Sequence, residues 1–257
     1  MDQGTRRAIA YFGLVAIFTV PFWILGAAVK FELLPGLPIA AFAIICPTLA
    51  AGVLSFRQGG WVQLRRLLGR ALDFKKASWR LFVVALINPA LFGLAFLVSR
   101  LLGGGLPDPD FAPTRALMLL ALFLPTALLE ELGWSGYALD HLQVRHSQLV
   151  AGLILGLFWA VWHLPALVEV GRSIEWIAWW GLWTISARVI MVWVYNRVGF
   201  SVFAVALFNA MSNVCWQIYP VSGSYFDPEI SALITLGVAA ALTAWPGSRA
   251  NIGREAA

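Results

Sequence analysis

Ala116-Leu-Met-Leu-Leu-Ala-Leu-Phe-Leu-Pro-Thr-Ala-Leu-Leu-Glu130-Glu131-Leu-Gly-Trp-Ser-Gly-Tyr-Ala138 is the stretch on which the reading of this chain turns. An apolar run of this length suits a membrane-crossing helix, which needs about 20 residues to span about 30 Å of hydrocarbon. Two adjacent carboxylates interrupt it. An ionisable side chain at the centre of such a helix costs about 2.5–3.5 kcal/mol, so it marks a functional site by default. A Glu-Glu pair at a helix end is ordinarily a solvated terminus. Here the nearest strongly polar stretch, Arg145-His146-Ser147, comes only later. Glu130 and Glu131 are therefore expected inside a bundle.

The rest of the sequence is in keeping with this segment. Of its 257 residues 60% are hydrophobic and 12% charged, with a mean hydropathy of +0.80, whereas soluble domains carry about 25% charged residues. Such apolar content excludes disorder, and two cysteines exclude a disulfide scaffold. Cys46 and Cys215 lie in apolar segments without a second Cys or a His at ligand spacing, and read as small buried hydrophobes. Apolar segments recur near residues 8–29, 37–55, 81–101, 116–138, 148–168, 176–195, 200–218 and 230–245. The expected fold is an all-α polytopic membrane protein of about eight spans, one membrane domain over residues 1–257 without internal repeats. Turn residues mark the breaks, as in Gly103-Gly104-Gly105-Leu106-Pro107, Asn196-Arg197-Val198-Gly199 and Ser222-Gly223-Ser224. The first segment lacks a small-residue cleavage site and reads as a retained span.

The net charge of +5 reads as topology, with no nucleic-acid partner implied. With a cytoplasmic N-terminus, only Lys30, Arg100, Arg115 and Arg172 of the 18 basic residues fall outside. The other 14 lie inside, which fits the positive-inside rule with both termini cytoplasmic, in a plasma (inner) membrane. Between spans two and three, Leu64, Leu67, Leu68, Ala71 and Leu72 repeat at helical spacing while Arg65, Arg66 and Arg70 point elsewhere. That pattern is an interfacial amphipathic helix. It could dock on anionic lipid or gate the bundle, and the simpler reading is a basic inner loop. Arg188, toward a span end, reads as snorkelling to the interface.

Two more polar places interrupt apolar segments: His163, within Trp159-Ala-Val-Trp-His-Leu-Pro165, and the pair Asn209 and Asn213. Residues that face each other across an antiparallel hairpin share an index sum, and Glu130 with His163 places the turn near residue 146, in the polar stretch already noted. Asn213 lies about 24 Å beyond Arg197 along a helix, at a matching depth. Three helices can thus contribute to one layer. Asn209 and Asn213 share a helix face, as do Trp159 with His163, Glu130 with Trp134, and Glu131 with Ser135. Gly133 and Gly136 allow close helix approach, and Pro125 frees the carbonyl of Ala121. Adjacent carboxylates in low dielectric are hard to ionise together, which suits a base working near neutral pH. A glutamate and an imidazole can activate water, and amide side chains can stabilise an oxyanion. Separately, His before Pro often satisfies a freed carbonyl, and Asn is commonly interhelical glue. Tryptophans read as interface belt and core, and Tyr137, Asp140, His141 and His146 as solvated residues at the inner boundary.

These residues resemble the three ordered motifs of the CPBP intramembrane proteases, a family that includes CAAX prenyl proteases and bacteriocin-processing or immunity proteins. Its patterns are Glu-Glu-x-x-x-Arg, aromatic-x-x-x-His, and His-x-x-x-Asn or Asp. They match Glu130-Glu131, Trp159 to His163, and Asn209 to Asn213, with a catalytic core over about residues 116–218. The resemblance implies an intramembrane endopeptidase for membrane-associated proteins or peptides. Glu130 would activate water with Glu131 as its partner, His163 would assist, and Asn213 would donate to the oxyanion. Ser135 stands where the family has Arg, and Asn209 where it has His. The expected mechanism uses no cofactor; a divalent metal such as zinc is not favoured, because an amide replaces the second histidine. Membrane lipid is the expected partner besides substrate, which would arrive from the cytoplasm or laterally. The alternatives are a non-catalytic relative that binds a membrane partner and, with less support, a proton-coupled transporter.

Overall fold

Segments of apolar residues bounded by Gly, Pro and charged turns fold as helices because, in hydrocarbon, each backbone N–H and C=O must be satisfied within its own segment. A computed structural model describes residues 3–29, 31–34, 37–76, 79–109, 111–219 and 228–245. Lys30, Ser222-Gly223-Ser224, Arg249 and Arg254, used above for topology and turns, lie outside the described residues. The helices are α1 (Gln3–Ala28), α2 (Cys46–Gly69), α3 (Arg80–Leu101), α4 (Pro113–Leu142), α5 (Gln148–Glu169), α6 (Ile174–Arg197), α7 (Val202–Ile218) and α8 (Pro228–Ala244). The first six are long and apolar enough to cross a membrane, and α7 and α8 are shorter apolar helices. The fold is an all-α polytopic membrane protein. A small antiparallel hairpin, Glu32–Leu34 with Leu37–Pro38, follows α1. Strands this short carry no detectable sequence period.

The antiparallel order gives the bundle two ends. One holds the hairpin and the turn between α5 and α6; the other holds Arg145 and Arg197 and is here called the basic end. α6 is the most enclosed of the six long helices, packing on α5 and α8, while α4 packs on α2 and α7. Two glycines set these approaches. A Cβ on Gly133 would lie 2.4 Å from the Pro47 carbonyl, and one on Gly156 3.0 Å from Ile185 Cα and 3.2 Å from Arg188 Cβ.

At the basic end the structure corrects the sequence reading. The amphipathic segment is the far half of α2, bent where Gly59 and Gly60 leave helical geometry, with Gly60 at φ 60°. A 3-10 turn, Arg70–Lys76, continues it. Arg70 turns inward. Its guanidinium donates to the Gly136 carbonyl at 2.7 Å, to Asp140 Oδ2 at 2.7 Å, to the Tyr195 hydroxyl and to the Phe200 carbonyl at 3.3 Å. Tyr195 in turn donates to Asp140 Oδ1 at 2.7 Å. Asp140 is thus part of a clasp rather than a simply solvated group, and Tyr137 is buried. Three residues further on, Asp73 accepts from the Ser201 hydroxyl at 2.8 Å and from the backbone N–H groups of Val202 (3.1 Å) and Phe203 (3.0 Å). Those are orphan donors at the start of α7, so the basic segment caps the helix that carries both asparagines.

Candidate active site

Glu130 and Glu131 are neighbours on α4 and so point about 100° apart around the helix axis. Glu130 faces a cavity of about 490 Å³, also lined by Trp159, His163, Asn209, Ser212 and Asn213. Glu131 points away from it, fully buried at 0% exposure. Three of the four helices from α4 to α7 therefore bring four of the five sequence-selected residues to one chamber. The fifth, Glu131, stands behind its wall.

Trp159 organises the wall. Its indole N–H donates to Glu130 Oε2 at 3.2 Å, and its carbonyl lies 2.8 Å from His163 Nδ1. That carbonyl fixes the ring with Nδ1 protonated and leaves Nε2 as an acceptor. Pro165 leaves the Val161 carbonyl without a helical donor, so His163 is not simply answering the proline. Its ring is wedged between Trp162 and Trp180, with centroids at 4.7 and 5.2 Å. On α7, Asn213 Nδ2 donates to Asn209 Oδ1 at 3.1 Å and to its carbonyl at 3.2 Å. Asn209 Nδ2 then reaches Glu131 Oε1 at 3.3 Å. The Asn209 amide thus connects Asn213 to the buried carboxylate.

Glu131 also accepts from the Ser135 hydroxyl at 2.5 Å and from Arg188 Nη1 at 2.8 Å, both on Oε2. Arg188 does not snorkel. It is 0% exposed and lies 4.1 Å from the centroid of the Trp159 ring. Nine residues separate it from Arg197 at the end of α6, about 13 Å of helix, too far for its side chain to reach the interface. That depth was the available signal.

The donor set does not suit a zinc ion. Such a site normally uses three good protein ligands. Here Glu131 is committed to Arg188, which leaves Glu130 and His163 on the cavity. Among the described residues no group of three His, Cys, Asp or Glu is placed to hold a metal. The cavity extends from these residues toward the hairpin end, past Trp23, Leu34, Pro38, Ala40, Arg172 and Trp176. The cavity thus lies toward the hairpin end of the bundle, away from the basic end.

Among the described residues, eight apolar helices with paired glutamates, a histidine and two asparagines between them define a polytopic integral membrane protein with an intramembrane polar site. A family model described as type II CAAX prenyl endopeptidase Rce1-like matches residues 112–215. CAAX prenyl protease 2 of Methanococcus maripaludis is 26% identical over 242 residues, covering 82% of this chain and 84% of that protein. Over residues 112–215 the chain is thus similar to the type II CAAX prenyl endopeptidases.

Proposed function

We propose that the protein is a membrane endopeptidase that hydrolyses peptide bonds of membrane-associated proteins or peptides, with Glu130 as the water-activating base. The observation that carries this reading is that Glu130 is the carboxylate presented to the cavity, oriented by Trp159 and sharing the wall with His163 and Asn213. In the reaction, Glu130 removes a proton from a water whose second hydrogen is held by His163 Nε2. The water oxygen attacks the peptide carbonyl carbon. The oxyanion that forms is met by an N–H of Asn213 released from Asn209 Oδ1. Glu130 then returns the proton to the amide nitrogen, the C–N bond breaks, and a carboxylic acid and an amine leave, the acid's proton passing to the amine so that the products are carboxylate and ammonium. No metal takes part in these steps.

The test uses purified protein in liposomes with a lipid-tethered fluorogenic peptide, cleavage being mapped by mass spectrometry. Cleavage at an internal peptide bond, unaffected by chelators, is expected. Loss with a chelator and recovery with zinc would overturn the metal-free mechanism; binding without turnover across a broad peptide set would make the protein a non-catalytic relative.

The basic end is read as cytoplasmic, because Arg7, Arg57, Arg66, Arg80, Arg145 and Arg197 gather there, against Arg100, Arg115 and Arg172 at the other end. The hairpin end of the cavity then lies toward the extracytoplasmic side. Ile174 and Val144 are exposed at opposite ends. In a background with Cys46 and Cys215 replaced by alanine, Ile174→Cys is expected to react with a membrane-impermeant maleimide on intact cells. Val144→Cys is expected to react only after permeabilisation. The reverse pattern would invert the orientation.

A further inference from the structure

We propose that Arg188 is the positioning residue of this site, fixing Glu131 by an ion pair and Glu130 through Trp159, and supplying from α6 the positive charge that Ser135 does not supply from α4. The proposal rests on the endopeptidase reading and deepens it. Three contacts on the same guanidinium carry it. Nη1 is 2.8 Å from Glu131 Oε2, the planar group lies over the Trp159 ring at 4.1 Å, and the Trp159 indole N–H is the donor at 3.2 Å to Glu130. Moving Arg188 therefore moves both carboxylates, one directly and one through a ring whose carbonyl also anchors His163.

A buried ion pair is weak evidence for stability, since apolar residues of similar volume often do as well or better. This pair is demanding. Among the described residues, Nε and Nη2 of Arg188 find no hydrogen-bond partner, although the side chain is fully buried. The backbone makes room for it: a Cβ on Gly156 of α5 would come 3.2 Å from Arg188 Cβ. Ser135 meets the same carboxylate oxygen at 2.5 Å. A guanidinium placed at position 135 could thus reach Glu131 from the other side.

Arg188→Lys, Arg188→Met and the double variant Arg188→Met with Ser135→Arg test this in the full-length protein. Displacing catalytic groups by about 1 Å costs on the order of 10²-fold in rate. Arg188→Met is expected to lower kcat by that factor with KM changed less than about threefold, and to move the pH profile of kcat/KM. Arg188→Lys keeps a charge but loses the planar fork and the stack, and falls between the two. Adding Ser135→Arg is expected to restore about tenfold of kcat together with the melting temperature. Wild-type kcat and an unchanged pH profile in Arg188→Met would overturn the proposal. So would a double variant that regains neither rate nor melting temperature. If the wild type cleaves no peptide, the endopeptidase reading falls by itself, and restoration of the melting temperature by Ser135→Arg still decides whether position 188 holds Glu131.

Discussion

Glu130→Gln lowers turnover of a membrane-tethered peptide by about 10²–10⁴-fold, the usual worth of a general base, and leaves the melting temperature near that of the wild type. Glutamine occupies the same space and keeps a carbonyl oxygen for the Trp159 indole N–H, which now donates to Glu130 Oε2 at 3.2 Å. Only the capacity to take a proton is removed. Glu130 borders the cavity and accepts from the Trp159 indole N–H, while the ion pair with Arg188 is made by Glu131, so Glu130 is not the structural counter-ion of that guanidinium. The measurement is steady-state hydrolysis by both proteins in the same liposomes, with thermal unfolding alongside. Equal turnover would remove Glu130 as the base; a fall in melting temperature as large as the Glu131 variants give would assign it a structural role instead.

Much of this architecture was legible in the sequence, for a physical reason. Lipid demands about 20 apolar residues per crossing, so six long apolar helices stand out by length and hydropathy, whereas the last two segments expected as spans form helices of 17 residues each. Glu130, His163 and Asn213 could be levelled by counting from the turns, because an antiparallel hairpin fixes depth. Angular position around a helix is another matter. Which of two adjacent glutamates faces the chamber depends on about 100° of rotation relative to helices that the local sequence does not describe. The reading of Arg188 and Arg70 as outward failed for the same cause. Their partners Glu131, Trp159, Asp140 and Tyr195 come from other helices. Hydropathy falls near residue 55 and places the end of the second span there, whereas α2 bends at Gly59 and Gly60 and continues along the basic end. Depth is encoded locally, and partnership is encoded only by the packed bundle.

Glu131 should behave in the opposite way to Glu130. Glu131→Leu is expected to destabilise the protein by about 3–5 kcal/mol, the range seen when one partner of a buried ion pair is removed. The physical cause is Arg188, which is 0% exposed and would keep a full charge with its counter-ion gone. Ser135 and Asn209 would at the same time lose the acceptor of their 2.5 and 3.3 Å hydrogen bonds. Removing the charge as well reverses much of this. The double variant Glu131→Leu with Arg188→Met replaces the pair by apolar side chains, and such replacements are often neutral or stabilising. Its unfolding free energy is therefore expected to lie above that of Glu131→Leu by about 2 kcal/mol or more. Activity does not follow stability in this cycle, since the double variant has lost the group that orients Trp159 and hence Glu130. Reversible unfolding in mixed micelles gives the four free energies of the cycle. A Glu131→Leu protein within about 1 kcal/mol of the wild type, below the range for breaking a buried pair, would show that the charge of Arg188 is answered by something other than Glu131.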